Sequence, residues 1–311
     1  MSLQKVVSTA LAVAHLPAIL PTMSKRNVLI TGCSDGGLGA ALALAFHNAD
    51  FHVYATARSH KKMVKLTDLG IETIELDVTS QSSIAEVAAK VSSLDILVNN
   101  SGTMITMPAL DTSIEQAKKM FDVNFWGMVA MSQAFVPHLI KTKGMIVNQT
   151  SVAATMALPW QAAYDASKAA AAMYSNVMRL ELECVGVRVV DLRTGIVGPT
   201  NMINNNYTKA ERTPDTKSAL PSNSIFQPVK ETMEGILRLD KHTASGMDPA
   251  EWAKAVVQDL SKSKPPPFIW RGNYASVAWL EQILPFGTFH GTVKKGTQLD
   301  IVEIAMKKAY P

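Results

Sequence analysis

Tyr164-Asp165-Ala166-Ser167-Lys168 sets a phenol and an ammonium four residues apart. On a helix these positions share a face, so the two side chains meet. A tyrosine of pKa about 10 is a poor proton shuttle near neutrality. A neighbouring lysine cation favours the phenolate, and the expectation is that Lys168 lowers the Tyr164 pKa toward the working range of acid–base catalysis. Alone the pair is weak evidence, since the same spacing also arises as a surface pair on a helix. Upstream, Met145-Ile-Val-Asn-Gln-Thr-Ser151 reads as a strand that delivers the Ser151 hydroxyl at its carboxyl edge. Asn124 interrupts an otherwise apolar helical stretch, and a polar residue there calls for a hydrogen-bond partner.

These residues need elements to hold them. From Asn27 onward, short β-rich runs alternate with helical stretches. Strands are expected at Asn27–Thr31, His52–Thr56, Thr73–Leu76, Ile96–Asn99, Met145–Gln149, Arg188–Leu192 and Phe268–Trp270. Helices are expected at Leu38–Asn48, Gln81–Lys90, Ile114–Lys141, Ala162–Val185, Lys230–Leu239 and Pro249–Lys262, the last capped by Asp248. Strands that are continuous apolar runs, such as Ile96-Leu97-Val98, suit a sheet covered on both faces. The alternation implies right-handed βαβ units. The fold class is therefore α/β: one doubly wound parallel sheet with helices on both faces.

The first strand runs into Gly32-Cys33-Ser34-Asp35-Gly36-Gly37-Leu38-Gly39 and then a helix. Strand, glycine turn and helix in that order suit a dinucleotide, whose pyrophosphate must lie against bare backbone N–H groups at a helix N-terminus. At the end of the second strand an acidic residue would read the ribose 2′-hydroxyl of NAD. Ala57 stands there, followed by Arg58, which can pair with the 2′-phosphate of NADP as a bidentate fork. Asp77 after the third strand is read either as a polar contact to adenine or as an ordinary turn aspartate.

Taken together, the glycine loop, Asn99-Asn100-Ser101-Gly102, Asn124, Ser151 and Tyr164-x-x-x-Lys168 resemble the short-chain dehydrogenase/reductase family from about Asn27 to Trp270. The resemblance implies a single Rossmann domain and NADP(H) as cofactor. It implies that Tyr164 exchanges a proton with the substrate oxygen, that Ser151 holds that oxygen, and that Lys168 lowers the tyrosine pKa and binds the nicotinamide ribose. Asn124 would fix a water linking Lys168 to solvent. To the cofactor it assigns Gly32, Ser34, Gly37, Leu38, Gly39, Arg58, Asp77, Asn100, Gly102, Tyr164, Lys168, Val197 and Thr200. The loop carries one residue more than the family pattern, so whether Gly36 or Gly37 faces the pyrophosphate stays open. Thr194-Gly195 replaces the usual Pro-Gly. Within the family, the glycine loop, Ala55-Thr-Ala-Arg58 and Phe268-Ile-Trp-Arg-Gly272 are similar to the branch of 1-acyl dihydroxyacetone phosphate reductases. That branch implies NADPH-linked reduction of lipid-like or secondary-metabolite ketones.

The remaining sequence bounds this reading. The 311 residues carry 30 Lys+Arg against 26 Asp+Glu, too mild an excess to indicate nucleic acid in the absence of a basic run. Two cysteines give no disulfide framework and make a reducing compartment, the cytoplasm, the default. No Cys/His cluster suggests a metal. Residues 1–22 read as an extension. Their apolar run Val6–Leu20, broken by His15 and Pro17, is too short to span a bilayer, and a packed extension, a membrane-surface segment and a secretory signal all stay open. The domain proper is expected over residues 23–275. Thr200–Pro228 is expected to be a substrate loop that closes apolar side chains over a ketone, with a disordered insertion that never touches substrate as the alternative, and 276–311 a single amphipathic turn-and-helix tail packed on the domain or a membrane surface. Partners are a small carbonyl substrate and, as the family implies, a second or further copies of the chain in a homodimer or homotetramer. Oxidation of an alcohol by the same residues remains an alternative, as does a cofactor-binding scaffold, which the intact Asn124, Ser151, Tyr164 and Lys168 argue against.

Overall fold

A computed structural model describes residues 25–202, 220–237 and 246–310. Seven parallel strands form one sheet in the order β3-β2-β1-β4-β5-β6-β7. They are β1 (Asn27–Thr31), β2 (His52–Ala57), β3 (Glu72–Glu75), β4 (Ile96–Asn99), β5 (Met145–Gln149), β6 (Arg188–Thr194) and β7 (Phe268–Arg271). The chain starts at β1 in mid-sheet, winds outward to β3, then returns to β4 on the other side of β1. The crevice beyond β1 and β4 is thus the topological switch point, where ligands bind in such sheets.

The register explains why the strands are apolar on both faces. Val28 and Ile30 pack in one core with Phe46 and Trp252, while Leu29 between them packs in a second core with Phe135 and Leu139. Successive strand residues point to opposite sides. Phe46 lies on α1 (Leu38–Asn48) and Trp252 on α8 (Pro249–Leu260), which cover the first face. The second is covered by α3 (Gln81–Lys90), α5 (Gly127–Thr142) and α6 (Ala162–Glu183). Phe135 and Trp252 are fully buried. Truncating such a side chain costs about 3–5 kcal/mol, a large share of a domain's stability. Asp248 caps α8 by accepting from Ala250 N at 2.8 Å and Glu251 N at 3.0 Å.

Between β2 and β3 lies the short α2 (Val64–Asp68). The stretch expected as one helix, Ile114–Lys141, is α4 (Ile114–Phe121) and α5 joined by a π-helical turn at Asp122–Trp126. α7 (Lys230–Leu237) follows β6. The tail departs from the single element expected. After β7 come α9 (Ala275–Glu281), α10 (His290–Gly296) and α11 (Leu299–Ala309). Pro285 and Gly287 interrupt the chain between the first two, and short helices leave little periodicity to read. Val302 of α11 is buried among Trp160, Leu220 and Met233, so the tail packs on the domain. Residues 1–22 lie outside the described residues, as does most of the expected substrate loop. No helix among the described residues is long and apolar enough to cross a membrane.

Candidate active site

At the switch point the ends of β1 and β4 are stitched together. Asn100 Nδ2 donates to the carbonyls of Thr31 at 2.7 Å and Gly32 at 3.2 Å. The Thr31 hydroxyl in turn accepts from the backbone N–H of Asn100 at 3.0 Å and Ser101 at 2.9 Å. Over this stitch α1 begins. Gly37 is its N-cap residue and lines a large cavity among the described residues, about 1250 Å³. Gly36 is at φ 74° and does not line it; a Cβ there would meet Asn201 Nδ2 at 2.7 Å. The inserted residue is therefore absorbed by the left-handed turn at Gly36, which glycine adopts without strain. Gly39 also stands outside the cavity wall. A Cβ on it would come within 2.5 Å of the Gly32 carbonyl oxygen and Asn100 Nδ2, so this glycine lets the helix seat on the stitched strand ends.

Gly32, Ser34, Leu38, Arg58, Asp77, Asn100 and Gly102 share the cavity wall with Gly37. Arg58 is exposed at its rim. Asp77 also serves its own turn, accepting from Thr79 N at 2.9 Å and Thr79 Oγ1 at 2.7 Å. At the other end the wall is formed by Ser151, Tyr164 and Lys168, with Val197 and Thr200 beyond β6. Of the residues assigned a catalytic or cofactor role from the sequence, Gly39 and Asn124 do not line the cavity.

Asn124 sits in the π-helical turn, and its amide is engaged on three sides. Its Oδ1 accepts from Thr103 N at 2.8 Å, and its Nδ2 donates to Thr103 O at 2.9 Å and Ser167 Oγ at 3.1 Å. The side chain thus fastens the loop after β4 to α6, the helix of Tyr164. Both amide hydrogens are used within the protein, so any hold on a water falls to the remaining lone pair or to its backbone carbonyl.

The three central side chains are buried, Ser151 to 8%, Tyr164 to 6% and Lys168 to 3% exposure. Ser151 Oγ accepts from Ala153 N at 3.1 Å and lies close enough to the Tyr164 hydroxyl to hold its pKa down. Lys168 Nζ donates to the carbonyl of Gln149 at 2.9 Å. Burial pushes Tyr164 up to about 12, partly opposed by the Ser151 hydroxyl and reinforced by the Asp165 carboxylate. Desolvation of the phenolate outweighs what lowers it, and the Lys168 ammonium is turned to Gln149 O. Lys168 is itself pushed down to about 8 by burial, with Asp191 opposing. Cys33 is fully buried and raised to about 12 by desolvation, which leaves an unreactive thiol.

Several supporting residues were assigned no individual role from the sequence. Asn99 Nδ2 donates to Asn148 Oδ1 at 2.8 Å and Ser132 Oγ at 3.1 Å, and Asn148 Nδ2 donates to Ser175 Oγ at 2.8 Å. This buried amide chain ties β4 and β5 to α5 and α6. Asp191 on β6 holds the Thr150 hydroxyl and pairs with Arg193 Nε at 2.7 Å. Arg193 lies over the rings of Phe268 and Trp270 and donates to Gln282 Oε1 at 2.8 Å. Polar residues inside apolar strands were the available signal. The outer wall is also new: Met104, Met156, Leu158, Trp160, Ile236 and Val277, with Phe289, Val293, Lys295 and Thr297 from α10 and its ends.

Comparison with known proteins bears on this arrangement. The sequence model of the family described as short chain dehydrogenase matches residues 26–211. A short-chain dehydrogenase/reductase of Pestalotiopsis microspora is 49% identical over 286 residues, covering 92% of this chain and 99% of that protein. An NADPH-dependent 1-acyldihydroxyacetone phosphate reductase of Schizosaccharomyces pombe is 38% identical, covering 87% of this chain and 94% of its own length. Among solved structures, a short-chain dehydrogenase from Streptomyces avermitilis superposes with a TM-score of 0.70 at 25% identity, covering 89% of this chain and 97% of that one.

Proposed function

The chain belongs to the short-chain dehydrogenase/reductase family, and from that we propose that it uses NADPH to reduce the carbonyl of an apolar small molecule to an alcohol. The observation that carries the proposal is the shared cavity, which has the bare glycine turn and Arg58 at one end and Ser151, Tyr164 and Lys168 at the other. Its volume of about 1250 Å³ exceeds that of ordinary ligand pockets, about 300–1,000 Å³, as a site for a dinucleotide plus a second molecule requires.

The residues present fit the cofactor. The Gly37 N–H is taken by Ser34 O at 2.9 Å, so the first turn of α1 after it offers backbone N–H groups to a pyrophosphate, Arg58 a fork to a 2′-phosphate, and Lys168 an ammonium to the nicotinamide ribose. When bound there, NADPH supplies the hydride. The protein supplies the proton and the geometry. Ser151 Oγ and the Tyr164 hydroxyl together hold the substrate oxygen. A buried tyrosine raised to about 12 keeps its proton through neutral pH. It yields that proton when the substrate oxygen acquires alkoxide charge, because an alkoxide is a stronger base than even a desolvated phenolate. The Lys168 cation then stabilises the phenolate.

Methionine, leucine, tryptophan and valine in the outer wall favour an apolar substrate body, of the lipid-like or secondary-metabolite kind. The fission-yeast relative, an NADPH-dependent 1-acyldihydroxyacetone phosphate reductase, supports the same class and the same cofactor. Thr200 and Met202 line the cavity where the expected substrate loop begins. The test follows NADPH absorbance with a panel of apolar ketones, and NADP reduction with the matching alcohols. Ketone-dependent NADPH oxidation by the wild type, lost in Tyr164→Phe, supports the proposal. Turnover only with alcohols, or with NADH alone, overturns it.

A further inference from the structure

Every chemical group of the site lies before residue 203, yet the outer wall of the cavity does not. Phe289, Val293 and Thr297, at and around α10, line the cavity and lie in a stretch the family's sequence model does not match. A helix of seven residues has little stability of its own, so something must hold it over the cavity.

Trp160 makes that connection. Its indole Nε1 donates to the carbonyl of Thr297 at 2.9 Å, across 137 residues of sequence. Thr297 is the residue that ends α10, where backbone carbonyls lack helical partners. The Trp160 carbonyl accepts from Met107 N at 2.6 Å, and its ring meets Phe226 edge-on at 5.7 Å between centroids. The ring is buried to 8% exposure. Its backbone stands at φ 72°, a region a bulky residue adopts only where its surroundings fix it. Trp160 also lines the cavity and precedes α6, which carries Tyr164.

We propose that Trp160 is a specificity-determining residue, which pins α10 as the far wall of the substrate cavity and so sets how long an apolar carbonyl compound the site accepts. The proposal rests on the reductase reading for its assay but concerns which substrates are chosen, not the chemistry. Trp160→Phe keeps an aromatic side chain, smaller than the indole, and deletes the N–H donor, so α10 loses its tether. Val293→Trp fills the cavity from α10 without touching the tether.

The experiment assays both variants with NADPH and methyl ketones of increasing chain length. A neutral hydrogen bond is worth about fivefold in an equilibrium. The ratio of kcat/KM for long to short ketones should fall about fivefold in Trp160→Phe, through KM, and about tenfold or more in Val293→Trp. Hydrogen–deuterium exchange over His290–Gly296 should also accelerate in Trp160→Phe, a readout that needs no substrate. An unchanged ratio in folded, NADPH-binding variants overturns the proposal, as does unchanged exchange over α10. Should Trp160→Phe not fold, Val293→Trp still tests α10 as the far wall, and an unchanged ratio there overturns the proposal. If the wild type reduces no ketone, the reductase reading fails, and the exchange measurement still tests the tether.

Discussion

The Lys168 ammonium stands 5.8 Å from the centroid of the Tyr164 ring and bonds to the Gln149 carbonyl at 2.9 Å. The lysine therefore faces the phenol without donating to it. Its contribution is a charge held near the site where a phenolate forms, and that contribution lasts only while it is protonated.

Lys168 is lowered to about 8 by burial, so reduction should weaken as pH rises through that value. Asp191 is what opposes the shift. Removing its charge should let the lysine pKa fall further and move the alkaline limb of kcat to lower pH. Asp191→Asn alone would strand the buried Arg193, so the variant carries Arg193→Gln as well. A pH–rate profile whose alkaline limb stays in place contradicts this role for Asp191.

Arg58 tests the cofactor. A charge-assisted hydrogen bond contributes about 1.5–3 kcal/mol, so Arg58→Ala should cut the preference for NADPH over NADH roughly tenfold or more. Fluorescence titration with each cofactor measures it. Equal weakening of both would show that Arg58 does not read the 2′-phosphate.

Asp165 couples the site to stability. Burial raises its carboxyl to about 8 from an ordinary 3.8. Between those values the folded chain keeps a proton that the unfolded chain releases, so stability should fall as pH rises across that window and level off above it. Asp165→Asn keeps an acceptor for Leu158 N, which Asp165 Oδ2 binds at 2.9 Å, and carries no charge. Its Tm should gain on the wild type progressively from acid pH to about 8. A gap that does not change with pH would contradict the assignment.

The strands and long helices were legible because their signals are local. Val28-Leu29-Ile30 is apolar throughout since both sheet faces are covered, and Leu38–Asn48 follows a glycine turn that no other element needs. Ser151, Tyr164 and Lys168 were legible because adjacent elements bring them together at fixed spacing. The direction of the Tyr164 shift was not, since desolvation depends on what covers the residue. Nor was Trp160, whose partner lies 137 residues away with no pattern linking the two. Gly36 and Gly37 could be told apart only once Asn201 was seen to pack against the first.

Proton transfer from the Tyr164 hydroxyl to the substrate oxygen is the step on which the proposed reduction depends. Tyr164→Phe removes that hydroxyl and keeps the ring, and the measurement is single-turnover and steady-state NADPH oxidation with an apolar ketone. Turnover should fall about 100-fold or more, the scale of general acid catalysis, with NADPH binding retained. Turnover close to wild type in a folded, NADPH-binding Tyr164→Phe protein would contradict it.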